Sequence, residues 1–260
     1  METDNKLCFM GEKPVLKNSV IENMGENNIL FCEKNVVLVN SKIDFRGSDS
    51  LIYLSSSRCE YKLNIAIHNQ QVCFWGRDNY INGIVNVILS EQKHIFIGSD
   101  NLFSLGIWMR NADPHLIYDS ETKERVNSTQ SIYIGDHVWI GQSVMILKGS
   151  KIGSGSIVGA MSLVSGSTIP SNECWGGVPA RCLKKGVFWD RECVHGWTEE
   201  TTNERKKCEN DTYIFKQSVN HTIDFEEIDV KLSNKQASLE KLNYLLKLIQ
   251  TDEKNRFAIM

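Results

Sequence analysis

The stretch from Ile134 to Thr168, IGDHVW-IGQSVM-ILKGSK-IGSGSI-VGAMSL-VSGST, decides the fold, because an aliphatic residue opens every block of six. The aliphatic positions are Ile134, Ile140, Ile146, Ile152, Val158 and Val164, and four residues after each comes Val138, Val144, Ser150, Ser156, Ser162 or Thr168. An amphipathic helix repeats about every 3.6 residues and a half-buried strand about every two, so neither explains this spacing. A triangular β-solenoid does, because each hexad forms one flat side and a turn.

The hexad register predicts where each side chain points. The first and fifth residues face the inside of the prism, and the sixth, which is Trp139 in the first hexad, faces outward. Glycine follows the aliphatic residue at Gly135, Gly141, Gly153 and Gly159. We expect these glycines to take a positive φ at the corners, a conformation that costs glycine little.

The repeat also sets the domain organisation. Regular coils are predicted over about residues 95–170, and degraded coils reach back to about residue 20. Residues 104–130 contain no hexads and are predicted to protrude from the coil as a loop. We assign residues 1–185 to one β-solenoid domain and residues 186–260 to an extension, with a helix near 234–250 that packs on the solenoid or on a neighbouring subunit.

Composition excludes several function classes. A formal net charge of −3 over 260 residues gives no general attraction to nucleic acid or to an anionic membrane. No apolar run approaches the roughly 18 residues that a membrane span needs. The eight cysteines form no C-x-x-C pair and are expected to be reduced. The N-terminus lacks the apolar segment of a signal peptide, so the cytoplasm is the expected location.

Four motifs resemble those of a known family, the hexapeptide-repeat acyltransferases, and in particular the O-acetyltransferases of sialic acid and capsular sugars. They are RNADPHLIY (residues 110–118), IGDHVWIG (134–141), ILKG (146–149) and GGVPAR (176–181). The resemblance covers about a third of the chain. It implies an all-β fold, a left-handed parallel β-helix of hexapeptide repeats, with a protruding active-site loop and a C-terminal helical extension.

His115 is the predicted catalytic base. An alcohol holds its proton about as tightly as water, so its attack on a thioester needs a base, and a neutral imidazole is available near pH 7. His115 matches the position of the family's catalytic histidine. Asp113 is a candidate for orienting the imidazole, with a backbone carbonyl as the alternative. Arg110 and Asn111 are predicted to contact the acceptor or to hold the loop, and a salt bridge between Arg110 and Asp113 is the alternative for Arg110.

Trp139 is the second predicted catalytic residue. An exposed indole is unfavourable unless something covers it, and in the resembling enzymes the matching tryptophan borders the active site. Its N–H could donate to a substrate oxygen while the ring packs on pantetheine or sugar. Burial in a subunit contact is an alternative that is compatible with this role.

The acyl donor implied by the resemblance is acetyl-CoA. Small residues at Gly141, Gly159 and Ala160 would admit the pantetheine arm closely, and Trp175 could stack on adenine or close the groove. A basic cluster after the last coil, at Arg181, Lys184 and Lys185, suits phosphate; a solvated basic turn is the alternative.

The predicted function is transfer of acetyl to a hydroxyl of a surface sugar, such as sialic acid, by a homotrimer with active sites between subunits. Another sugar, an amino sugar or a small metabolite could instead be the acceptor, or the solenoid could be a binding module without catalysis. The six histidines lack the close spacing that the zinc-dependent branch of this fold needs, so no metal is expected.

Overall fold

Short parallel strands wind into a three-sided prism in the computed structural model, which describes residues 7–218, 222–251 and 253–260. Residues 1–6 of the predicted domain lie outside the described residues. The faces form a left-handed parallel β-helix, as the hexad pattern and the resemblance predicted.

In chain order the strands are Cys8–Gly11 (β1), Val15–Lys17 (β2), Val20–Asn23 (β3), Ile29–Cys32 (β4), Val37–Val39 (β5), Lys42–Phe45 (β6), Leu51–Leu54 (β7), Leu63–Ile67 (β8), Val72–Trp75 (β9), Tyr80–Ile81 (β10), Val85–Ile88 (β11), Ile95–Ile97 (β12), Leu102–Phe103 (β13), Trp108–Arg110 (β14), Ile132–Ile134 (β15), Trp139–Ile140 (β16), Met145–Leu147 (β17), Lys151–Ile152 (β18), Ile157–Val158 (β19), Leu163–Val164 (β20), Thr168–Ile169 (β21), Glu173–Gly176 (β22) and Arg181–Lys185 (β23). A 3-10 turn, Val194–Gly196, and three α-helices follow: Glu199–Glu204 (α1), Phe225–Ser233 (α2) and Ser238–Leu248 (α3).

Three sheets make the faces of the prism. Face 1 runs β1-β4-β7-β9-β12-β15-β18-β21, face 2 runs β10-β13-β16-β19-β22-β23, and face 3 runs β3-β6-β8-β11-β14-β17-β20. Strands β2 and β5 form a separate short pair. The chain visits faces 1, 2 and 3 in turn, and the pairing is parallel except between β22 and β23, where the chain doubles back at the end of face 2.

Coil length explains why the hexad pattern fades toward the N-terminus. Ile134 pairs with Ile152, which makes a coil of 18 residues, or three hexads. Ile29 pairs with Leu51 and Leu51 with Val72, so the earlier coils have 22 and 21 residues. Their longer corners break the six-residue step without breaking the ladder. The solenoid therefore begins at Cys8, which pairs with Ile29, and the predicted start near residue 20 was too late.

The inward positions agree with the predicted register through five hexads. The first and fifth residues are almost fully buried from Ile134 to Ser162. The sixth hexad is one residue short, because Ile152 pairs with Ile169. Ser167 therefore takes the fifth position and accepts the Lys151 N–H in the ladder, whereas Thr168 is exposed. The predicted inward placement of Thr168 was wrong for that reason.

The expected conformation of the repeat glycines was also wrong. The residues with positive φ stand three positions after the aliphatic one, at His137, Ser143, Gly149, Gly155 and Met161. Glycine instead follows the aliphatic residue because adjacent coils touch there. A Cβ on Gly135 would lie 2.8 Å from the Ser154 backbone nitrogen, and one on Gly141 would lie 2.6 Å from that of Ala160.

The protruding segment is shorter than the predicted loop 104–130. Strand β14 belongs to the regular coil: Ile107 and Met109 are fully buried and β14 pairs with β11 and β17. The segment that leaves the prism, called the arm here, comprises residues 111–131. It departs from the end of face 3 and returns at β15 on face 1.

Two C-terminal helices cover face 1. An outward ladder of aromatic rings runs along this face, through Phe31, Tyr53, Phe74, Phe96 and Tyr133. Buried residues of α2 and α3, including Phe225 and Leu242, pack against it. The predicted helix near 234–250 is α3, packed on the solenoid; α2 was not predicted. Faces 2 and 3 remain uncovered by these helices.

Candidate active site

An open groove lies at the corner between faces 2 and 3. It holds about 400 Å³ of space, and its lining residues are Asn82, Ser104, Leu105, Trp139, Gly141, Gln142, Ile157, Val158, Gly159 and Ala160. Four predicted site residues, Trp139, Gly141, Gly159 and Ala160, thus lie along one groove. The coils pack so closely here that the groove floor is largely backbone, with Gly141 pressed against the next coil. A long, narrow substituent could lie along it.

Trp139 stands at the side of this groove with 39% of its surface exposed, which agrees with its outward position in the hexad. Its indole N–H donates to Ser104 Oγ at 3.4 Å, a long hydrogen bond. Its ring meets the ring of Trp189 at a centroid distance of 6.1 Å and an angle of 48°. Trp189 and Ser104 therefore contact the Trp139 indole, while the rest of the ring is open to the groove and to solvent.

His115 lies in the arm and its side chain is exposed. The arm is a twisted hairpin, in which a bridge joins Tyr118 to Arg125 and the Asn127 amide donates to the His115 carbonyl at 2.8 Å. Arg125 holds the hairpin to the coil through two 2.8 Å hydrogen bonds to Glu91. These hydrogen bonds hold the arm against the coil and leave the His115 side chain exposed to solvent.

Asp113 is committed to a different partner from the one predicted. Its Oδ2 accepts from Lys148 Nζ at 2.6 Å and from Asn127 Nδ2 at 3.0 Å. The hydrogen bond from Lys148 lowers the pKa of Asp113. No described contact joins Asp113 to the His115 ring. The carboxylate therefore anchors the base of the arm, and the proposed orienting role for Asp113 lacks geometric support in one chain.

Arg110 and Asn111 differ sharply in position. Asn111 is fully buried, and its amide bonds the backbone of Ser90 and Lys93. This geometry favours holding the loop over contacting an acceptor. Arg110 is half-buried on the outer side of face 3, opposite Leu147 in the ladder. The salt bridge of Asp113 is with Lys148; Arg110 acts on Asp113 only through its charge.

The residues predicted to hold the nucleotide lie at the C-terminal end of face 2. Arg181, Lys184 and Lys185 belong to β23 and are exposed. Strand β23 extends the same sheet that carries Trp139. Trp175 has a different place: it pairs with Val158 on the inward side of β22, packs on the core and donates to Glu173 at 2.7 Å. It closes the end of the prism, a position that leaves little of its ring for stacking on adenine.

The two halves of the predicted site do not meet within one chain. The groove lies where face 2 turns into face 3, and the arm lies where face 3 turns into face 1. Face 3 separates them and exposes Trp108 and Met145, which are opposite each other in the ladder. His115 and Trp139 of one chain therefore lie on opposite sides of face 3.

Sequence reasoning missed three residues around this region. Lys148 lay inside a quoted motif without a role, and it anchors the arm. His137, which was given no role, is 2% exposed because the C-terminal segment covers it. Trp189 was not singled out, and its ring stacks on His137 at 4.1 Å. In the sequence, His137 and Trp189 stood out only by residue type, and Lys148 only by its place in the ILKG motif.

Among residues 7–218, 222–251 and 253–260, no cluster of three or more His, Cys, Asp or Glu side chains could hold a metal ion. None of the helices in those ranges is both long and apolar enough to cross a bilayer.

Known proteins with hexapeptide repeats are similar to this chain. The model of the bacterial transferase hexapeptide (six repeats) matches residues 131–166. Polysialic acid O-acetyltransferase of Neisseria meningitidis is 37% identical over 120 residues, which are 45% of this chain and 56% of that protein, so the match spans little more than half of this relative.

Two solved structures resemble most of this chain. The polySia-specific acetyltransferase NeuO superposes with a TM-score of 0.65 at 26% identity over 76% of this chain and 93% of that one. The polysialic acid O-acetyltransferase OatWY superposes with a TM-score of 0.62 at 26% identity over 76% of this chain and 99% of that one. With the repeat match, they show that the chain is a left-handed β-helix that is similar to the hexapeptide-repeat acyltransferases and, among them, to polysialic acid O-acetyltransferases.

Proposed function

We propose that this protein transfers acetyl from acetyl-CoA to a hydroxyl of a sialic acid polymer or another sialylated surface sugar. The observation that carries the proposal is the placement of two half-sites at the two edges of face 3. One edge holds the open groove beside Trp139, and the other holds the braced arm with His115. The named acetyltransferases with the same solenoid point to the reaction class and the acceptor.

We assign the assembly as a homotrimer in which each face 3 packs against a neighbour. Several exposed apolar residues lie where such packing would bury them: Trp108 and Met145 on face 3, Leu105 beside the groove, and Leu116 and Ile117 on the arm. Exposed apolar patches of this kind typically mark contacts between proteins, and closed cyclic symmetry satisfies each copy equally. The cytoplasm, where acetyl-CoA is made, is the proposed location.

Acetyl-CoA supplies an acyl group activated as a thioester. The chain's own residues then have three tasks. The groove beside Gly141, Gly159 and Ala160 holds the pantetheine arm in an extended conformation, and the exposed β23 lysines and arginine face the phosphates. The indole N–H of Trp139 can donate to an oxygen at the groove mouth, where negative charge develops on the carbonyl.

His115 performs the proton transfer. Its neutral imidazole accepts the proton of the acceptor hydroxyl as the hydroxyl oxygen attacks the thioester carbonyl carbon. A C–O bond forms, the C–S bond breaks, and His115 returns the proton to the departing thiolate. No covalent bond to the protein is needed, so much of the acceleration comes from holding both substrates in line.

A panel of acceptors tests this function. Release of free CoA thiol would be followed with acetyl-CoA and polysialic acid, sialic acid monomer, non-sialylated capsular glycans and amino sugars, and the acetylated product located by mass spectrometry and NMR. We expect turnover with sialylated acceptors and an O-linked acetyl group. Turnover only with an amino sugar, giving an amide, would show that the acceptor is an amine and not a hydroxyl. Absence of acetyl-CoA binding would show that the protein is not an acetyl-CoA-dependent enzyme.

A further inference from the structure

The C-terminal extension does more than cover face 1. After β23 the chain runs back along the corner between faces 1 and 2; residues 187–216 of this run are called the strap here. Two strap rings enclose His137: Trp189 stacks at 4.1 Å with an angle of 8°, and Tyr213 at 3.8 Å with an angle of 2°. Since both rings are parallel to the imidazole at contact distance, they occupy its opposite faces.

Polar contacts fix this sandwich. The Trp189 indole N–H donates to the His137 carbonyl at 2.9 Å, and the His137 Nδ1 lies 2.7 Å from Asp100 Oδ2. Arg191 donates to Asp100 Oδ1 at 2.7 Å, and its guanidinium lies 5.8 Å from the Trp189 ring centroid. Burial raises the pKa of Asp100, but His137 and Arg191 outweigh it and leave that pKa below its ordinary value. The Asp100 carboxylate is thus the charged group that joins His137 to Arg191 of the strap.

Trp189 also reaches toward the groove. Trp189 is 6% exposed and also contacts Trp139, which stands two residues after His137. The two indole rings are tilted by 48°, with a centroid distance of 6.1 Å. The long hydrogen bond to Ser104 is the only described bond of the Trp139 N–H. A tryptophan exposed on a flat face can adopt several rotamers, and holding one of them costs conformational entropy. A fixed ring beside it reduces that cost.

We propose that Trp189 is a positioning residue, which fixes the Trp139 indole at the mouth of the groove from a strap that is anchored on His137 and, through Arg191, on Asp100. The inference rests on the proposed function, in which Trp139 contacts the reacting acyl group. Pre-organising a substrate-contacting side chain requires a packed neighbour whose own position is locked. Trp189 meets this requirement, because its ring, its N–H and its flanking Arg191 are all engaged.

A double-mutant cycle tests whether Trp189 acts through Trp139. The variants are W189L, W139F and the double variant, with Tyr213→Leu as a matched control that removes the other ring of the sandwich. We expect W189L to lower kcat about tenfold to a hundredfold with little change in the KM for acceptor, and to have almost no further effect in the W139F background. Tyr213→Leu should change kcat much less. Equal, additive losses in all backgrounds would overturn the proposal.

A spectroscopic readout separates this inference from the proposed function. A fixed indole contributes to the near-UV circular dichroism, so the difference between the parent protein and W139F reports on Trp139 without any turnover. We expect the corresponding difference between W189L and the double variant to be much smaller. If the difference persists in W189L, Trp189 does not position the ring. If the difference is lost but the parent transfers no acetyl group, the positioning stands and the proposed function fails. Should W189L not fold, Trp189→Phe supplies the same comparison with a smaller expected change.

Discussion

The Lys148 ammonium lies 2.6 Å from the Asp113 carboxylate and 3.0 Å from the Asn127 carbonyl, so a single side chain on β17's corner ties both ends of the arm to the prism. Because Lys148 and Asp113 are each partly exposed, solvent weakens the pair. Its importance lies in geometry: it sets the position of His115 relative to the coil.

Replacing Lys148 with Met should therefore loosen the arm and leave the groove intact. We expect kcat to fall by about tenfold while the KM for acetyl-CoA stays nearly unchanged, and amide hydrogen exchange in residues 111–131 to speed up. Lys148→Arg keeps the charge and should retain most activity. Slower turnover caused by weaker acetyl-CoA binding would contradict the assigned role.

His115→Ala should remove the contribution of the base, roughly 10²–10⁴-fold in turnover. Binding of acetyl-CoA, measured by calorimetry, should change little, because the groove that would hold the pantetheine arm is lined by other residues. His195→Ala, at an exposed turn, is the control. Full activity of the His115 variant would eliminate it as the base.

Ala160 offers a direct test of the groove. It is exposed at the groove, whereas Gly141 is pressed against the next coil. Ala160→Leu should thus fill the groove without disturbing the coil, raising the KM for acetyl-CoA about tenfold or more at unchanged thermal stability. Gly141→Val, in contrast, should destabilise the fold. If Ala160→Leu binds acetyl-CoA normally, the donor lies elsewhere.

Part of this picture was accessible from the sequence. The hexad spacing from Ile134 predicted which side chains point inward, and with them the exposure of Trp139. The earlier coils were harder to predict, since their sequence signal is a pair of polar residues 22 positions apart. Hydrogen bonds join such pairs across adjacent coils: Asn18 to Asn40, Asn27 to Asp49 and Asn64 to Asn86. A search for such pairs would have located the N-terminal coils.

The rest depends on contacts that no local pattern encodes. Asp113 finds Lys148 35 positions away because β14 and β17 are neighbours on face 3. The partner of His137 arrives from the strap, 52 positions later. Spacing within the repeat cannot show where a non-repetitive segment such as the strap packs. Nor can it show which side chain Asp113 contacts, so the sequence alone could not test Asp113 as an orienting residue.

Arg256 anchors the end of the chain in the same way. Its guanidinium donates to both Asp136 oxygens, at 2.8 and 3.0 Å, and both residues are buried. Arg256→Met would leave the Asp136 carboxylate buried without its cation. We expect a loss of about 3–5 kcal/mol in the free energy of unfolding, measured by urea denaturation. A change below about 1 kcal/mol would show that water replaces the arginine.

A buried histidine predicts an acid limit to stability. Burial, assisted by the charge of Lys241, lowers the pKa of His94 to about 3. Its Nδ1 accepts the Val72 N–H at 3.2 Å, which requires an unprotonated nitrogen. Below a pH of about 6.5 the unfolded chain binds a proton that the folded chain refuses until a pH of about 3.

Stability should therefore fall with decreasing pH across this window, by about 1.4 kcal/mol per pH unit from His94 alone. His94→Gln should flatten the slope, even if it lowers stability at neutral pH. Denaturant titrations at a series of pH values measure the slope. An unchanged slope in the variant would show that other groups cause the acid loss.

If each active site combines His115 of one copy with Trp139 of another, as proposed, mixing two inactive variants should restore activity. Equal amounts of His115→Ala and Trp139→Ala chains would be co-refolded and acetyl transfer measured. A site is then intact when a chain with its native histidine meets a chain with its native tryptophan, so activity should recover to about one quarter of that of the unmodified protein. A mixture no more active than either variant alone would contradict the account.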